Sequence, residues 1–100
     1  MDTEIFTVFD SAAARFLEPF FAPTIEVALR MFREVVNKEG HDFNRFPEDY
    51  TLFHIGAFSA QDGQIIAQSP RSLGVALTFT AQGPALQGDL MTDQEVADAS

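Results

Sequence analysis

Phe46-Pro47-Glu48-Asp49-Tyr50-Thr51-Leu52-Phe53-His54-Ile55-Gly56-Ala57-Phe58 joins a proline-led acidic turn to an extended segment that is apolar on both faces. A strand with one wet face alternates apolar and polar residues. Here Tyr50, Leu52, His54 and Phe58 fall on one face by period-two spacing, and Thr51, Phe53, Ile55 and Ala57 on the other. Both sides need cover, and 100 residues supply little of it. The expectation is a small sheet with a helix on one face and a second subunit or another partner on the other. Tyr50, Leu52, His54 and Phe58 are the residues expected to carry that partner or self-association surface.

Working outward, residues 4–9 (Glu-Ile-Phe-Thr-Val-Phe) read as a strand, and Asp10-Ser11 as a turn whose side chains bond the backbone ahead. Ala12-Ala13-Ala14 fits a helical turn, and Arg15 to Phe21 fits a returning extended chain interrupted by Pro19. Thr24 after Pro23 is a fitting N-cap, and Glu26 in the first turn complements the helix dipole. Ile25, Ala28, Leu29, Phe32 and Val36 then form an amphipathic stripe, with Gly40 as a left-handed stop, which predicts a helix over 24–38.

Residues 41–49 read as a loop, 50–59 as a strand, Gln61-Asp62-Gly63 as a hairpin turn and 64–68 as the returning strand. Residues 70–79 carry two signals. Leu73, Val75, Leu77 and Phe79 alternate, whereas Ser69-Pro70 resembles a helix start, and the balance tips slightly toward helix. From Ala81 on, Gly83, Pro84 and Gly88 break structure, and a flexible acidic tail is expected. The fold class is therefore α+β: a small, mainly antiparallel sheet, one main helix, room for a second short one, a single domain over 1–80 and a tail over 81–100.

The same stretches carry a family resemblance. Pro47-Glu48-Asp49-Tyr50-Thr51-Leu52-Phe53, with Phe9-Asp10-Ser11 and Pro19-Phe20-Phe21 before it and Asp62-Gly63-Gln64-Ile65 after it, resembles the small nonstructural protein of gokushoviruses. These are single-stranded DNA phages of the microvirus group. The resemblance covers roughly residues 4–80, and the acidic extension after Phe79 departs from it. It implies an accessory protein of the infected bacterial cytoplasm that acts when duplex synthesis gives way to single-stranded synthesis and packaging. Its implied partners are phage or host replication proteins or the procapsid.

Composition bounds the chemistry. Fifteen Asp and Glu against six Lys and Arg give a net charge of −9. Residues 1–80 hold eleven of the acids and all six basic residues, so the domain is acidic even without its tail. Nonspecific nucleic-acid binding rests on cations that displace counterions from phosphates. Arg15, Arg30, Arg33 and Arg45, with Phe20, Phe21, Phe43 and Phe46 close in sequence, are the residues able to bind single-stranded DNA by charge and stacking. The alternative is that these arginines pair with Glu26, Glu34 and Glu48 while the phenylalanines pack inside.

Cysteine is absent, and His41, His54, Asp42, Glu48 and Asp49 repeat at no zinc-like spacing, so no metal or other cofactor is expected. No nucleophile–base grouping or phosphate-cradling glycine loop is visible, which argues against an enzyme. Met1-Asp2-Thr3-Glu4 lacks the basic character of a secretory leader, and no apolar run approaches the roughly 20 residues of a membrane span. Eleven Phe in so short a chain ask for extra burial, and a homodimer is the commonest way to supply it. A non-enzymatic adaptor is thus the leading expectation, with single-stranded DNA binding as the alternative.

Overall fold

The computed structural model describes residues 2–81. The acidic tail expected further on lies outside the described residues. In chain order the elements are strands β1 (Asp2–Asp10), β2 (Arg15–Phe16) and β3 (Phe20–Ala22), helices α1 (Ile25–Val36) and α2 (Asp42–Arg45), a 3-10 turn (Pro47–Asp49), strands β4 (Tyr50–Ser59) and β5 (Ile65–Val75), and a second 3-10 turn (Ala76–Phe79). The sheet runs β2-β1-β4-β5, with β3 also paired to β1, and every pairing is antiparallel. It curves into a half-barrel, with α1 packed on one face. No described helix is long and apolar enough to cross a membrane.

The first hairpin turns where Asp10 Oδ1 accepts hydrogen bonds from the Ala12 and Ala13 N–H groups, at 3.1 and 3.2 Å. The returning edge is broken. Pairs Phe9↔Phe16 and Phe6↔Phe20 are one residue out of step, and Pro19 sits in the gap. Proline cannot donate to a ladder, so it belongs at an interrupted edge. The Thr7 hydroxyl, itself buried, bridges the gap by donating to the Leu17 carbonyl at 2.7 Å.

Thr24 caps α1 as its sequence suggests, its hydroxyl accepting from the Val27 N–H at 3.1 Å. Ala28, Phe32 and Val36 are buried, while Ile25 and Leu29 pack at the margin. The helix stops earlier than Gly40 would set. Asn37 ends it, its side-chain amide donating to the carbonyls of Arg33 (2.8 Å) and Phe79 (3.0 Å) and its Oδ1 accepting from the Ala81 N–H (2.9 Å). Gly40, at φ +90°, turns the chain one step later.

Two further expectations are corrected. Within 41–49, His41 Nδ1 accepts from the Phe43 N–H at 3.0 Å and caps the short helix α2, so this span is not simply loop. Residues 70–79 are neither one helix nor one strand. β5 continues through Pro70 to Val75, and only Ala76–Phe79 wind into a 3-10 turn. Gly74, at φ +141°, sits just before that change of path, a conformation that L side chains rarely adopt.

The core lies between α1 and the sheet face formed by Phe6, Val8, Tyr50 and Leu52, closed by Ala22 and Ala76. Phe6 and Leu52 are fully buried. Tyr50 is the chain's one tyrosine, and there is no tryptophan. Its phenol is held above the ordinary value by burial, and then by the carboxylates of Asp10, Asp42 and Asp49. The folded phenol therefore releases its proton at higher pH than the unfolded one, so stability holds below about pH 10 and falls as pH rises past it. Phenolate absorbance should show a midpoint above about 10 in the native protein and near 10 in denaturant. Tyr50→Phe should abolish this share of the alkaline loss. Coincident midpoints would show that the phenol is not desolvated.

Candidate functional site

Register decides which side chains are free to act. On β1, Glu4, Phe6 and Val8 face α1, while Ile5, Thr7 and Phe9 face the other way. Across the ladder Val8 meets Leu52 and Phe6 meets His54, so the Tyr50, Leu52 and His54 side of β4 lies toward α1. These three are only 9%, 0% and 7% exposed. They line this chain's own interior, which corrects their assignment to a partner surface.

Phe58 separates from them. The next pair after Phe6↔His54 is Ile5↔Gly56, which leaves Ile55 as an extra residue, a β-bulge. Beyond it the alternation is reversed. Phe58 pairs with Thr3 and meets the Phe21 ring at 6.1 Å, on the face away from α1. Period-two spacing read straight through the bulge joins Phe58 to the wrong set.

The bulge is built into both strands. β5 loops opposite Ile55, passing from Ala67 to Arg71 while β4 passes only from Gly56 to His54. The Gln68 amide nitrogen lies 3.2 Å from His54 Nδ1 and 3.4 Å from the His54 carbonyl. With that nitrogen donating, Nδ1 accepts and Nε2–H donates to Glu4 Oε1 at 2.8 Å. The His54 ring also packs on Phe6, with centroids 5.1 Å apart. One histidine thus ties three strands together at the irregularity, which is a structural role.

The face turned away from α1 is the candidate site. At one end Phe16 packs between Phe9 (4.8 Å) and Phe53 (5.5 Å), and at the other Phe21 packs on Phe58. Between them lies a groove of about 430 Å³ floored by Thr7 and Ile55 and walled by Pro19 and Pro70. Phe16 is 48% exposed, Phe21 51% and Ile65, beside Phe58, 65%. From Thr3 to Phe9 on β1 and from Thr51 to Phe58 on β4, the register puts no charged residue on this face. Desolvating a charge is costly, so the centres of protein interfaces are poor in charged residues and rich in aromatics, the composition this patch has.

The arginines are placed elsewhere. Arg30 and Arg33 are exposed on α1, and Arg45 is exposed on α2. Arg15 stands on the edge strand opposite Asp10. The alternative pairing with Glu26, Glu34 and Glu48 is not made: among the described residues the arginine ion pair is Arg45 with Asp42. Arg33 lies over the Phe79 ring at 5.6 Å, and Arg45 over Phe46 at 5.0 Å with Asp42 at 3.9 Å. Of the four phenylalanines near these arginines in sequence, Phe20 packs on Phe6 and Phe43 on Phe32 and Tyr50, which leaves Phe21 and Phe46 exposed. Among the described residues no group of three or more His, Asp or Glu is placed to hold a metal ion.

The family model described as phage ORF5 protein matches residues 3–79, from the first residues of β1 to the last of the second 3-10 turn. The chain belongs to the phage ORF5 protein family. No curated protein and no solved structure matches it. The match spans every described element, so the bulge, the aromatic face and the Asn37 stop all lie within the family segment of this phage ORF5 protein. It ends at Phe79, where the acidic extension begins.

Proposed function

We propose that this small phage accessory protein acts in replication and packaging of a single-stranded DNA genome, as a non-enzymatic adaptor in the cytoplasm of the infected host. The chain belongs to the phage ORF5 family, and the resemblance of its sequence to the gokushovirus nonstructural proteins supports the genome-replication setting. The observation that carries the adaptor reading is the uncharged aromatic sheet face, with Phe16, Phe21 and Ile65 about half or more exposed. Such a face suits protein contacts, because phosphates require cations and this face has none. Its partners in this reading are phage or host replication proteins or the procapsid.

Phe21→Asp tests the reading in infected cells. Loss of an exposed aromatic contact worth about 2 kcal/mol weakens binding roughly thirtyfold. The expected result is continued duplex viral DNA with single-stranded progeny DNA sharply reduced. Normal progeny DNA from a folded Phe21→Asp protein would remove the face from the function.

Single-stranded DNA binding is favoured by a different observation, the stacking of Arg33 on Phe79 and of Arg45 on Phe46. Arginine and aromatic planes together accept bases without sequence preference. Fluorescence anisotropy of a labelled single strand, at low and physiological salt with a duplex control, separates the two readings. Salt-sensitive, saturable binding that Arg30→Glu plus Arg33→Glu abolishes would establish DNA handling. No binding at low salt leaves the adaptor.

A further inference from the structure

We propose that the uncharged sheet face docks a second copy of this chain, sheet against sheet, in a two-fold symmetric dimer. The inference deepens the adaptor reading and rests on that face being a protein interface.

Charge selects this occupant. The chain carries −9, so two copies repel wherever their acidic surfaces approach. A two-fold interface sets a patch against itself, and any unbalanced charge there would meet its own kind. The stretch from Thr51 to Pro70 holds one charged residue, Asp62 at the hairpin tip. The β1 positions beside it on this face, Ile5, Thr7 and Phe9, are uncharged. The acids of β1 (Asp2, Glu4 and Asp10) fall on the α1 side of the register. A basic partner would find no carboxylate here, and a nucleic acid would find no cation. A copy of the same neutral face needs neither.

Shape and area agree. Two aromatic ridges, Phe9-Phe16-Phe53 and Phe21-Phe58, flank the groove between Pro19 and Pro70 on one face. A two-fold operation can seat a ridge of each copy in the groove of the other, so that every contact is made twice. Phe16, Phe21 and Ile65 together offer on the order of 300 Å² per copy. The half-buried rings and groove walls add to this, toward the roughly 800 Å² that each side of a standard interface buries. Facing sheets pack about 10 Å apart through interdigitated side chains, which two curved sheets of this kind allow. A chain with one main helix has nothing else among its described elements to lay over this face.

Sedimentation equilibrium of the full chain provides the test, with Phe21→Asp and Ile65→Asp as separate variants and circular dichroism to confirm their fold. Both side chains are more exposed than buried, so the variants should keep wild-type spectra. The expected wild-type species has twice the 11.0 kDa chain mass, and each variant should raise the dimer dissociation constant at least about a hundredfold, because symmetry counts each change twice. A wild-type dimer that both folded variants leave intact would put the interface elsewhere and overturn the proposal. A monomeric wild type would also overturn it. In that event, loss of single-stranded progeny DNA in Phe21→Asp infections would show that the face serves another protein, and normal progeny would end the adaptor reading as well.

Discussion

Phe6→Ala is expected to destabilise the protein by about 3–5 kcal/mol, the usual loss for a fully buried aromatic ring. Phe6 has no exposed surface and packs on the Phe20 ring at 5.6 Å and the His54 ring at 5.1 Å. It stands at the middle of β1, the strand that pairs with β2, β3 and β4. A cavity there cannot close without moving three ladders, so collapse recovers little of the loss. Domains of this size are held by about 5–15 kcal/mol in total. Each kcal/mol corresponds to about 4–8 °C of Tm at this chain length. Urea titration with far-ultraviolet circular dichroism measures the loss. Phe21→Ala is the matching control: the same atoms are removed from a ring that is half exposed on the opposite face, and the cost should be far smaller. Equal costs would mean that Phe21 is as buried as Phe6 and its face is not free, and a larger cost for Phe21→Ala that the two faces are reversed.

That contrast was only partly legible in the sequence. The helix could be read closely, because Thr24, Glu26 and the Ile25-Ala28-Leu29-Phe32-Val36 stripe all say the same thing. Its end could not, because Asn37 acts through the carbonyl of Phe79, a contact from 42 positions away. The Asp10 turn and the Pro19 interruption were readable for the same local reason. The split of 70–79 into strand and 3-10 turn was not, since pairing of Val75 with Thr51 overrides a local Ser-Pro helix signal.

Of the four residues expected on a partner surface, Tyr50, Leu52 and His54 line the interior and only Phe58 reaches the free face. Alternation from Tyr50 onward correctly separates Tyr50, Leu52 and His54 from Thr51 and Phe53. It predicts nothing about a bulge at Ile55, which is why it groups Phe58 with residues of the opposite face, and nothing about which face α1 covers, which is why Tyr50, Leu52 and His54 read as free. Gly56 was the available signal, since an isolated glycine inside a strand pattern marks a bulge or a close backbone approach. The exposed phenylalanines of that face come from β2, β3 and β4, and only the fold brings Phe16 to Phe53 and Phe21 to Phe58.

Gly56→Ala should therefore act against ordinary strand preference. Replacing a strand glycine by alanine commonly gains about 0.5–1 kcal/mol through a less flexible unfolded chain. At this position a Cβ would lie 2.5 Å from the Ile66 carbonyl oxygen and 3.3 Å from the Ala67 Cα. Both atoms are backbone, so no side chain can rotate aside, and β5 must move away from β4. The expected cost is about 1–3 kcal/mol, the range for forced overpacking. Its location is as diagnostic as its size. Hydrogen exchange should quicken along the outer half of the β4–β5 ladder, between Gly56 and Phe58 and between Ile65 and Ala67, while α1 and the β1–β4 pairs near Leu52 keep their protection. Because Phe58 and Ile65 are paired just beyond the glycine, the same change should loosen the aromatic face and weaken self-association without adding a charge to it. An unchanged exchange pattern with unchanged stability would mean that β5 does not lie against Gly56, and the bulge that turns Phe58 outward would lose its physical cause.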